Sequence, residues 1–535
     1  MIARAGGGLL SAYGRRRRRA IEQWASRADM IQERTLLRLV WTARNTEFGL
    51  VHGFERIRSV ADYQARVPVR TYVEFRPAWT RVLEGDSSVT WPGRPRYWAK
   101  TSGTTAGDKY IPVTRETLAA HRLGGWDALL VAAERAGARH LLEGQLLFLG
   151  GSTTLTPVGD GCLAGDLSGI VVRRLPPGLR SLYSPGPGLA SLDDWERRIG
   201  LIAELIRGQD LRMLSGMPSW IVVLLERVAR GGQSRGRPLR DLTECWPHLR
   251  VFVHGGVSFA PYQQVFDEWM GRPLDRVELY PASEGFVALQ TERSGGLTLM
   301  LDYGIFYEFV PVQDLDHPNP RRHTVADVEL GMPYAIVLTT PAGLWSYVLG
   351  DTIRFVARDP LRLEITGRTR HFVNAFGENV IVEEVERAVV QACRETRAEV
   401  VEFTLAPRYP TAKDARGGHD LLVEFRVPPR DRARFAQIAD EMLAELNTDY
   451  RTKRFGEVGL VAPALVELPP ETFYRWLRSV GKLGGQHKVP RVTNDRALAD
   501  GLLARTPEAS RGPALFGAEQ APDESPAARG IHGLG

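Results

Sequence analysis

Short apolar runs that predict β-strands alternate with amphipathic helical stretches through the central part of the chain. Helical periodicity is plain over residues 21–47 and near 192–232. The predicted strands are QLLFLGG, RVFVHGG, RVELYPAS, GIFYEFVPV, VADVEL, YAIVLTT and YVLGDTIRFVA. Because strands and helices are interleaved within one large block, the sequence predicts an α/β or α+β fold.

The length of the chain predicts more than one domain. A chain of 535 residues is too long to fold around a single hydrophobic core. We predict a large domain over 1–365, beginning with a basic helical extension over 1–35, and a small domain over 366–495. The small domain follows a β-α-β-β-α-β order, which is typical of an α+β unit. Residues 496–535 lack periodicity and predict a disordered tail.

Composition and cysteine use predict a cytoplasmic protein. Hydrophobic residues make up 43% of the chain and charged residues 25%, as in ordinary globular proteins. No apolar run reaches the roughly 18 residues that a membrane-spanning helix needs. The arginine run follows the short apolar N-terminal patch, which is the wrong order for a secretory signal. Cys162, Cys245 and Cys393 are far apart, which fits a reducing compartment.

The net charge of +6 leaves nucleic acid, membrane lipid and a small anionic ligand open as partners. Arg15–Arg19 is the one dense basic run, and its simplest interpretation is a solvated helix end. The sequence contains no zinc-finger spacing, no aromatic cluster of the RNA-binding type and no heptad repeat. We therefore expect no nucleic-acid partner.

The stretch AKTSGTTAGDKYIPVT, residues 99–114, has the composition of an anion-binding loop. Gly103 lets backbone amides approach an anion closely, and Lys109 adds a positive charge. It is not a Walker A loop, because its glycines are four apart and Asp108 precedes the lysine. On its residues alone it is either a phosphate loop or a polar turn between strands. Its hydroxyl donors are Ser102, Thr104 and Thr105.

Three later motifs place polar side chains at strand ends or turns. In ELYPASEGF, Tyr280 offers a flat ring, while Ser283 and Glu284 offer the oxygen ligands that Mg²⁺ prefers. In LWSYVLGDTIRF, the Asp351 carboxylate can accept both hydroxyl hydrogens of a ribose. In ITGRTRHF, Arg368 is a fixed cation in a turn. Taken singly, each motif has a simpler alternative: an exposed glutamate, a Gly-Asp hairpin corner and a surface arginine.

One further stretch completes the pattern. SVGKLGGQHKVPRV carries Lys482 and Lys488 among glycines, which indicates either a mobile catalytic loop or a solvated basic loop.

The order of these motifs resembles that of the acyl-adenylating ligases, and more closely that of the GH3 acyl acid amido synthetases. SGTTAGDKYIP resembles the phosphate loop of that family, and GIFYEFVP, TTPAGLWSYVLGD and GGQHKVPR resemble its later blocks. TEFGLVHGFERIRSVADYQARVPVRTY resembles its N-terminal segment, so the resemblance covers about residues 36–492. It implies a large acyl-adenylating domain with mixed sheets and helices, and a smaller mobile C-terminal α+β domain.

The resemblance also implies a reaction in two halves. A carboxylate attacks the α-phosphorus of ATP, which gives an acyl-adenylate and pyrophosphate. An amine, usually that of an amino acid in this family, then attacks the activated carbonyl and releases AMP. The implied cofactors are ATP and Mg²⁺, and the implied partners are a small carboxylic acid and an amino acid.

Residue roles follow from the matching motifs. Tyr280 is expected to pack on adenine, Glu284 to hold Mg²⁺ and Asp351 to bind the ribose hydroxyls. Arg368 is expected near the ribose or α-phosphate, and Lys488 is expected to act in adenylation. The implied phosphate cradle is Ser102, Gly103, Thr104 and Thr105, with Lys109 and Ser283 as further nucleotide contacts.

The sequence departs from the family pattern at two positions. Ala106 stands where the superfamily often has a second glycine, and Ser346 stands where plant members tend to carry arginine. The plant acyl-acid pocket is not recognisable, so the acid is not indicated. The resemblance implies that VFVHGGVSF, residues 251–259, lines an acyl pocket beside the nucleotide. Two alternatives stay open: an acyl-CoA ligase, and an inactive adenylate-binding fold that associates with nucleic acid or membrane through Arg15–Arg19. If the protein is an enzyme, trimming that run should leave activity intact.

Overall fold

A computed structural model gives the fold. The part of the chain that it describes is 2–101, 109–173, 180–192, 194–233, 241–256, 259, 262–315, 317–369, 372–378, 380–410, 416–455, 460–480, 489–494 and 496–504. Several predicted site residues lie outside this part: Ser102, Gly103, Thr104, Thr105, Lys482 and Lys488.

The helices and strands alternate along the chain, as the apolar pattern predicted. The helices are α1 Ile2–Trp24, α2 Ala28–Ala43, α3 Glu47–Val51, α4 Val60–Arg66, α5 Tyr72–Glu84, α6 Arg115–Ala136, α7 Ala138–Leu142, α8 Leu167–Val172, α9 Pro187–Ala190, α10 Trp195–Arg207, α11 Pro218–Gln233, α12 Gln263–Met270, α13 Val382–Thr396, α14 Arg432–Leu446, α15 Thr448–Phe455, α16 Thr472–Ser479 and α17 Ala497–Leu503. The strands are β1 Tyr97–Thr101, β2 Lys109–Val113, β3 Gln145–Leu149, β4 Thr156–Gly159, β5 Cys162–Gly165, β6 Tyr183–Ser184, β7 Leu211–Gly216, β8 Val251–Gly255, β9 Asp275–Ala282, β10 Gly285–Leu289, β11 Leu297–Leu299, β12 Phe306–Pro311, β13 Pro333–Thr340, β14 Leu344–Arg358, β15 Leu361–Arg368, β16 Phe372–Val373, β17 Val380–Ile381, β18 Glu399–Arg408, β19 Gly418–Val427 and β20 Ala464–Leu468.

The largest sheet has the strand order β12-β13-β14-β15-β11-β10-β9-β8-β7-β3-β6. The pairs from β6 to β9 are parallel, and the pairs from β9 to β12 are antiparallel. In the parallel part, Gly216 at the end of β7 pairs with both Leu149 of β3 and His254 of β8. The carboxyl ends of these strands therefore meet at one edge, where α/β proteins bind ligands.

Helix α6 covers part of this sheet and carries a glycine at the closest approach. A Cβ atom at Gly124 would lie 2.4 Å from the ring of Phe286 in β10. Any larger residue would therefore push the helix away from the strand. This contact fixes α6 against the strand that follows the Ser283–Glu284 turn.

A second sheet has the order β2-β1-β5-β4. Its β1–β2 hairpin is antiparallel, with Thr101 opposite Lys109. The predicted phosphate loop, 102–108, connects these two residues. Helix α6 begins directly after β2, and the Thr114 side chain caps it by accepting from the Thr117 N–H at 3.1 Å.

The chain divides into two compact units. The first comprises residues 1–381, 409–417 and 444–460, and the second comprises 382–408, 418–443 and 461–535. The predicted boundary between 365 and 366 stays a prediction. The second unit contains the sheet β18-β19-β20.

The beginning of the predicted disordered tail is helical. Residues 497–503 form α17, and Leu498 and Leu502 pack in a core with Leu422 and Phe473 of the same unit. Apolar spacing within ALADGLL, which the sequence analysis passed over, accounts for this helix. Residues 505–535 lie outside the described part.

One strand prediction was wrong, and one strand was not predicted. VADVEL, residues 325–330, is a turn, because the Asp327 carboxylate accepts from both the N–H and the hydroxyl of Thr324. Strand β7 lies inside the region that periodicity assigned to helix, between α10 and α11. Its short sequence, LRMLSG, carries too weak a pattern to be separated from its helical neighbours.

The arginine run is only partly solvated. Arg15, Arg16 and Arg19 are exposed, as predicted. Arg17 instead forms ion pairs with Asp127 of α6 at 2.7 Å and with Asp302 at 2.5 Å. The prediction of a solvated run is wrong for Arg17, because acidic residues far along the chain surround it.

No helix within the described ranges combines the length and the apolar character that crossing a membrane requires.

Replacing Arg17 by methionine should destabilise the protein. The Asp127 carboxylate, 2% exposed, would lose its cation while remaining beside Asp302. Leaving a buried charge without its partner costs about 3–5 kcal/mol. Urea unfolding should show this loss for Arg17→Met and almost none for the exposed control Arg16→Met. Equal midpoints for the two variants would contradict the structural role of Arg17.

Candidate functional site

The carboxyl end of β9 carries the predicted YPASE motif. Tyr280 is 6% exposed near the end of the strand. Ser283 and Glu284 then form the two-residue turn into β10, and both are half-buried. The turn is tight because Ala282 and Gly285 on either side of it pair across the hairpin. The predicted nucleotide and metal contacts of this motif therefore lie at the edge of the sheet.

Tyr280 and Asp351 are in direct contact. The Tyr280 hydroxyl donates to Asp351 Oδ2 at 2.5 Å. These residues lie on β9 and β14, which three strands separate in the sheet order. Asp351 also pairs with Arg368 of β15, whose backbone is thereby placed beside it. The structure thus brings together Tyr280, Asp351 and the backbone of Arg368, which sequence analysis had named separately.

Glu284 is held by a residue that the sequence analysis did not single out. The Tyr347 hydroxyl donates to Glu284 Oε1 at 3.3 Å. The Tyr347 side chain is 2% exposed, and its ring packs near Phe75 and Trp79 at 5.9 and 6.4 Å between centroids. The sequence could have indicated Tyr347 through its place in YVLGD, four residues before Asp351.

Ser346 sets the direction of Tyr347. Its φ of +45° is unusual for a residue other than glycine. Two hydrogen bonds hold the strand at Ser346. Its N–H donates to Thr339 Oγ1 at 3.0 Å, and its hydroxyl donates to Glu308 at 2.6 Å. Arg322 forms a buried ion pair with Glu308 at 3.2 Å. This buried polar network fixes the backbone directly before Tyr347.

Burial and charge act in opposite directions on Glu308. Burial raises the pKa of its carboxyl, and the Arg322 guanidinium lowers it. The hydrogen bond from Ser346 also lowers it, and so does one from Gln64, whose side-chain amide donates at 3.1 Å. The network is thus satisfied on several sides, as a buried carboxyl requires.

His254 lies at the carboxyl end of β8 and is 4% exposed. Its ring lies 4.9 Å from that of Phe259, between centroids. Burial, together with the charges of Arg276 and Arg135, lowers the pKa of His254 to about 3. No hydrogen-bond partner for its Nδ1 is found in the described part of the chain. The imidazole is therefore neutral at the edge of the sheet. The expectation that 251–259 lines an acyl pocket stays a prediction.

Lys109 begins β2 at one end of the predicted phosphate loop. Its Nζ lies 5.3 Å from the centroid of the Tyr72 ring. The Tyr72 hydroxyl accepts from the Tyr110 N–H at 3.1 Å. The start of β2 is thus fixed to α5.

The residues at this edge fit a magnesium–nucleotide complex. Glu284 supplies a carboxylate, and Asp351 keeps acceptor capacity beyond the bond from Tyr280, since a carboxylate has about four lone-pair sites. The described residues contain no group of three or more His, Cys, Asp or Glu side chains that would enclose a metal by itself. Magnesium fits such a site, because it is usually held by one or two carboxylates together with phosphates and water.

Comparison with known proteins identifies the family. Models of the GH3 family N-terminal, central and C-terminal domains match residues 17–215, 298–368 and 383–497. Together they span most of the chain in the family's own order. The chain belongs to the GH3 family.

Curated relatives match nearly the whole chain. The indole-3-acetic acid-amido synthetase GH3.3 of Arabidopsis thaliana is 22% identical over 93% of this chain and 95% of its own. The indole-3-acetic acid-amido synthetase GH3.8 of Oryza sativa subsp. indica is 24% identical over 93% of each chain. Because these relatives are amido synthetases, the predicted enzyme class is confirmed at the level of the family.

A solved structure shares the fold. The AtGH3.15 acyl acid amido synthetase in complex with 2,4-DB superposes with a TM-score of 0.58 at 16% identity, over 91% of this chain and 95% of that chain. The predicted family and the predicted α/β fold class are confirmed.

Acidification should destabilise the protein partly through His254. Its folded pKa of about 3 lies below the unfolded value near 6.5, so below pH 6.5 only the unfolded chain takes up the proton. The stability present above pH 6.5 is therefore lost as the pH falls. The loss amounts to about 2 kcal/mol by pH 5. Urea unfolding at pH 7 and pH 5 should show a smaller difference for His254→Leu than for the wild type. An equal difference would mean that His254 is not buried in its neutral form.

Proposed function

We propose that this chain is an ATP-dependent acyl acid–amido synthetase. It adenylates a carboxylic acid and transfers the acyl group to an amine, an amino acid by preference, with release of AMP and pyrophosphate. The observation that carries the proposal is the convergence of Tyr280, Asp351 and Glu284 at the edge of the sheet, in a chain of the GH3 family. The acid and the amino acid are left open.

Each residue at the edge has a defined task in this proposal. In this proposal ATP supplies the adenylyl group that activates the acid, pyrophosphate leaves, and Mg²⁺ would neutralise charge on the phosphates. Asp351 accepts from the ribose hydroxyls, and the hydroxyl of Tyr280 fixes the carboxylate orientation while its ring packs on adenine. Glu284 is the magnesium ligand, and Tyr347 orients it.

The remaining predicted residues complete the proposal. The backbone of Arg368 lies at the end of β15 opposite Asp351, and we propose that Arg368 acts near the ribose or α-phosphate. Lys109 stands at one end of the loop, and Ser283 precedes Glu284 in its turn. The proposed phosphate cradle is Ser102, Gly103, Thr104 and Thr105. Lys488 is proposed to act in adenylation, and a cytoplasmic location stays a prediction.

The arginine run gives little support to a nucleic-acid or membrane function. Arg17 and Arg18 form ion pairs with acidic side chains of the same unit. We now expect that trimming the run would impair activity, because Arg17 holds α6 and α6 follows the predicted phosphate loop.

The test is a screen of carboxylic acids for acid-dependent pyrophosphate release from ATP. Each acid that causes pyrophosphate release is then tested with amino acids and, separately, with CoA as the acceptor. Amide formation supports the proposal, whereas thioester formation alone would identify an acyl-CoA ligase. A folded protein that releases pyrophosphate with no acid would contradict it.

Substitutions at the metal site should weaken magnesium dependence to different degrees. Glu284→Gln keeps the volume but removes the charge, so adenylation should fall by about 100-fold or more. Tyr347→Phe keeps the packing but removes the hydrogen bond, and a lost bond to a metal ligand costs about 10–100-fold in metal affinity. Pyrophosphate release measured against Mg²⁺ concentration should shift accordingly.

Two controls accompany this measurement. Thermal unfolding should be nearly unchanged for both variants, since a turn and a single hydroxyl contribute little to the core. Normal magnesium dependence of a folded Glu284→Gln protein would remove Glu284 from the metal site.

The two lysines of the C-terminal loop should differ. Negative charge builds on the phosphates during adenylation, and a nearby ammonium lowers that barrier. Lys488→Ala should therefore slow acid-dependent pyrophosphate release by about 100-fold or more while amide formation from supplied acyl-adenylate stays near normal. Lys482→Ala is the matched control and should be mild in both assays. Equal slowing of both half-reactions by Lys488→Ala would contradict this role.

A further inference from the structure

Lys453 is a nearly buried cation that forms no ion pair with the described part of the chain. It lies on α15 and is 9% exposed. Among the described residues it forms no ion pair or hydrogen bond, although Asp449 lies one turn before it. Burying an ammonium without a close partner is costly, and buried charges are normally paired. The carboxylate of a ligand would complete the ion pair that the described residues do not form with Lys453.

The surroundings of Lys453 lie near the carboxyl edge of the parallel strands. A Cβ atom at Gly377 would lie 3.0 Å from Lys453 Cε and 3.3 Å from Cε of Met217. Met217 directly follows β7. Both α15 and β7 belong to the same compact unit. The lysine side chain thus reaches the edge at which ligands of α/β proteins bind.

Asp166 supplies a carboxylate close to this cation. It precedes α8 and follows β5. Its side chain is open to solvent, yet protein surrounds it closely enough that desolvation raises the pKa of its carboxyl. A side chain that is both accessible and desolvated lies in a crevice. A Cβ atom at Gly151, just beyond the end of β3, would lie 2.1 Å from Asp166 Oδ2, so only glycine allows this approach.

Asp166 and Lys453 approach the carboxyl ends of neighbouring strands. Leu149 of β3, two residues before Gly151, pairs with Gly216 of β7, which directly precedes Met217. The Lys453 charge lowers the pKa of Asp166, against the effect of its burial. The two side chains form no salt bridge with each other, so an ammonium and a carboxylate placed in this way fit a ligand that carries both charges.

We propose that Lys453 and Asp166 bind the amino-acid acceptor, with Lys453 on its α-carboxylate and Asp166 on its α-amino group. The acyl acid carries only a carboxylate, and ATP carries several negative charges, so Asp166 would repel either of them. A zwitterion satisfies both side chains. A carboxylate also accepts from the amine in its charged form and in the neutral form that attacks the acyl carbonyl. The proposal rests on the proposed function and assigns residues to the binding of its second substrate.

The test compares acceptors with and without a carboxylate. Lys453→Met keeps the length of the side chain and removes its charge, Lys453→Arg keeps the charge, and Arg451→Met is an exposed control on the same helix. Each full-length protein is titrated calorimetrically with the proteinogenic amino acids and with ethylamine, the decarboxylated counterpart of alanine. Acyl-adenylate is followed separately by trapping with hydroxylamine, an acceptor that has no carboxylate.

We expect Lys453→Met to weaken amino-acid binding by about tenfold or more, because a charge-assisted contact is lost. Lys453→Arg and Arg451→Met should bind amino acids as the wild type does, and ethylamine should not distinguish the variants. Hydroxamate formation should be unchanged in Lys453→Met. Asp166→Asn should weaken binding of both amino acids and ethylamine.

Three results would overturn the inference. In the first, Lys453→Met binds amino acids with wild-type affinity. In the second, the wild type binds no amino acid. In the third, Lys453→Met loses hydroxamate formation and amino-acid binding in parallel. Failure of the wild type to form hydroxamate with any acid would count against the proposed function instead. The titrations would still decide the role of Lys453.

Discussion

The parallel alignment of β3, β7, β8 and β9 is the constraint on which the site depends. Parallel strands place all of their carboxyl ends at one edge, and the peptide chain must leave the sheet there. This edge therefore brings together His254, the Tyr280–Glu284 segment and Met217, although they are not neighbours in the sequence. The antiparallel half of the same sheet places Asp351 within hydrogen-bonding distance of Tyr280. One sheet thus holds both carboxylates, that of Asp351, which we propose binds the ribose, and that of Glu284, which we propose binds the metal.

Two buried polar networks keep this edge in place. Arg17, Asp127 and Tyr303 hold α1 and α6 together, and the Tyr303 hydroxyl donates to Asp127 at 2.7 Å. Ser346, Glu308 and their partners fix the backbone that precedes Tyr347. Apolar packing alone would allow small shifts at both places, whereas directional hydrogen bonds in a low-dielectric interior do not. These networks fix the positions of side chains at a cost in folding stability, since burying charges requires their desolvation.

Local sequence patterns predicted the pieces of the site but not their contacts. Tyr280, Glu284 and Asp351 were found because turn residues and polar groups at strand ends have a recognisable chemistry. Their hydrogen bonds, from Tyr280 to Asp351 and from Tyr347 to Glu284, depend on strand order, which periodicity does not encode. Strand β7 was missed because six residues between two helices carry little pattern.

Charge was the least predictable property. A run of five arginines looks uniformly solvated in sequence, yet Arg17 is buried by carboxylates that lie 110 and 285 residues away. Lys453 looks like one more basic residue of a polar helix, and only its burial without an ion pair to the described residues distinguishes it. The free energy of a charge depends on its surroundings in three dimensions, so sequence proximity is a poor guide to it.

The central claim is that the carboxylate of the acid attacks the α-phosphorus of ATP. The most direct measurement uses an acid labelled with ¹⁸O in its carboxylate, with mass spectrometry of the nucleotide product after amide formation. The account predicts AMP that carries one ¹⁸O atom, because the bridging oxygen of the acyl-adenylate leaves with the phosphate. Formation of ADP with labelled inorganic phosphate, or of AMP without label, would contradict it.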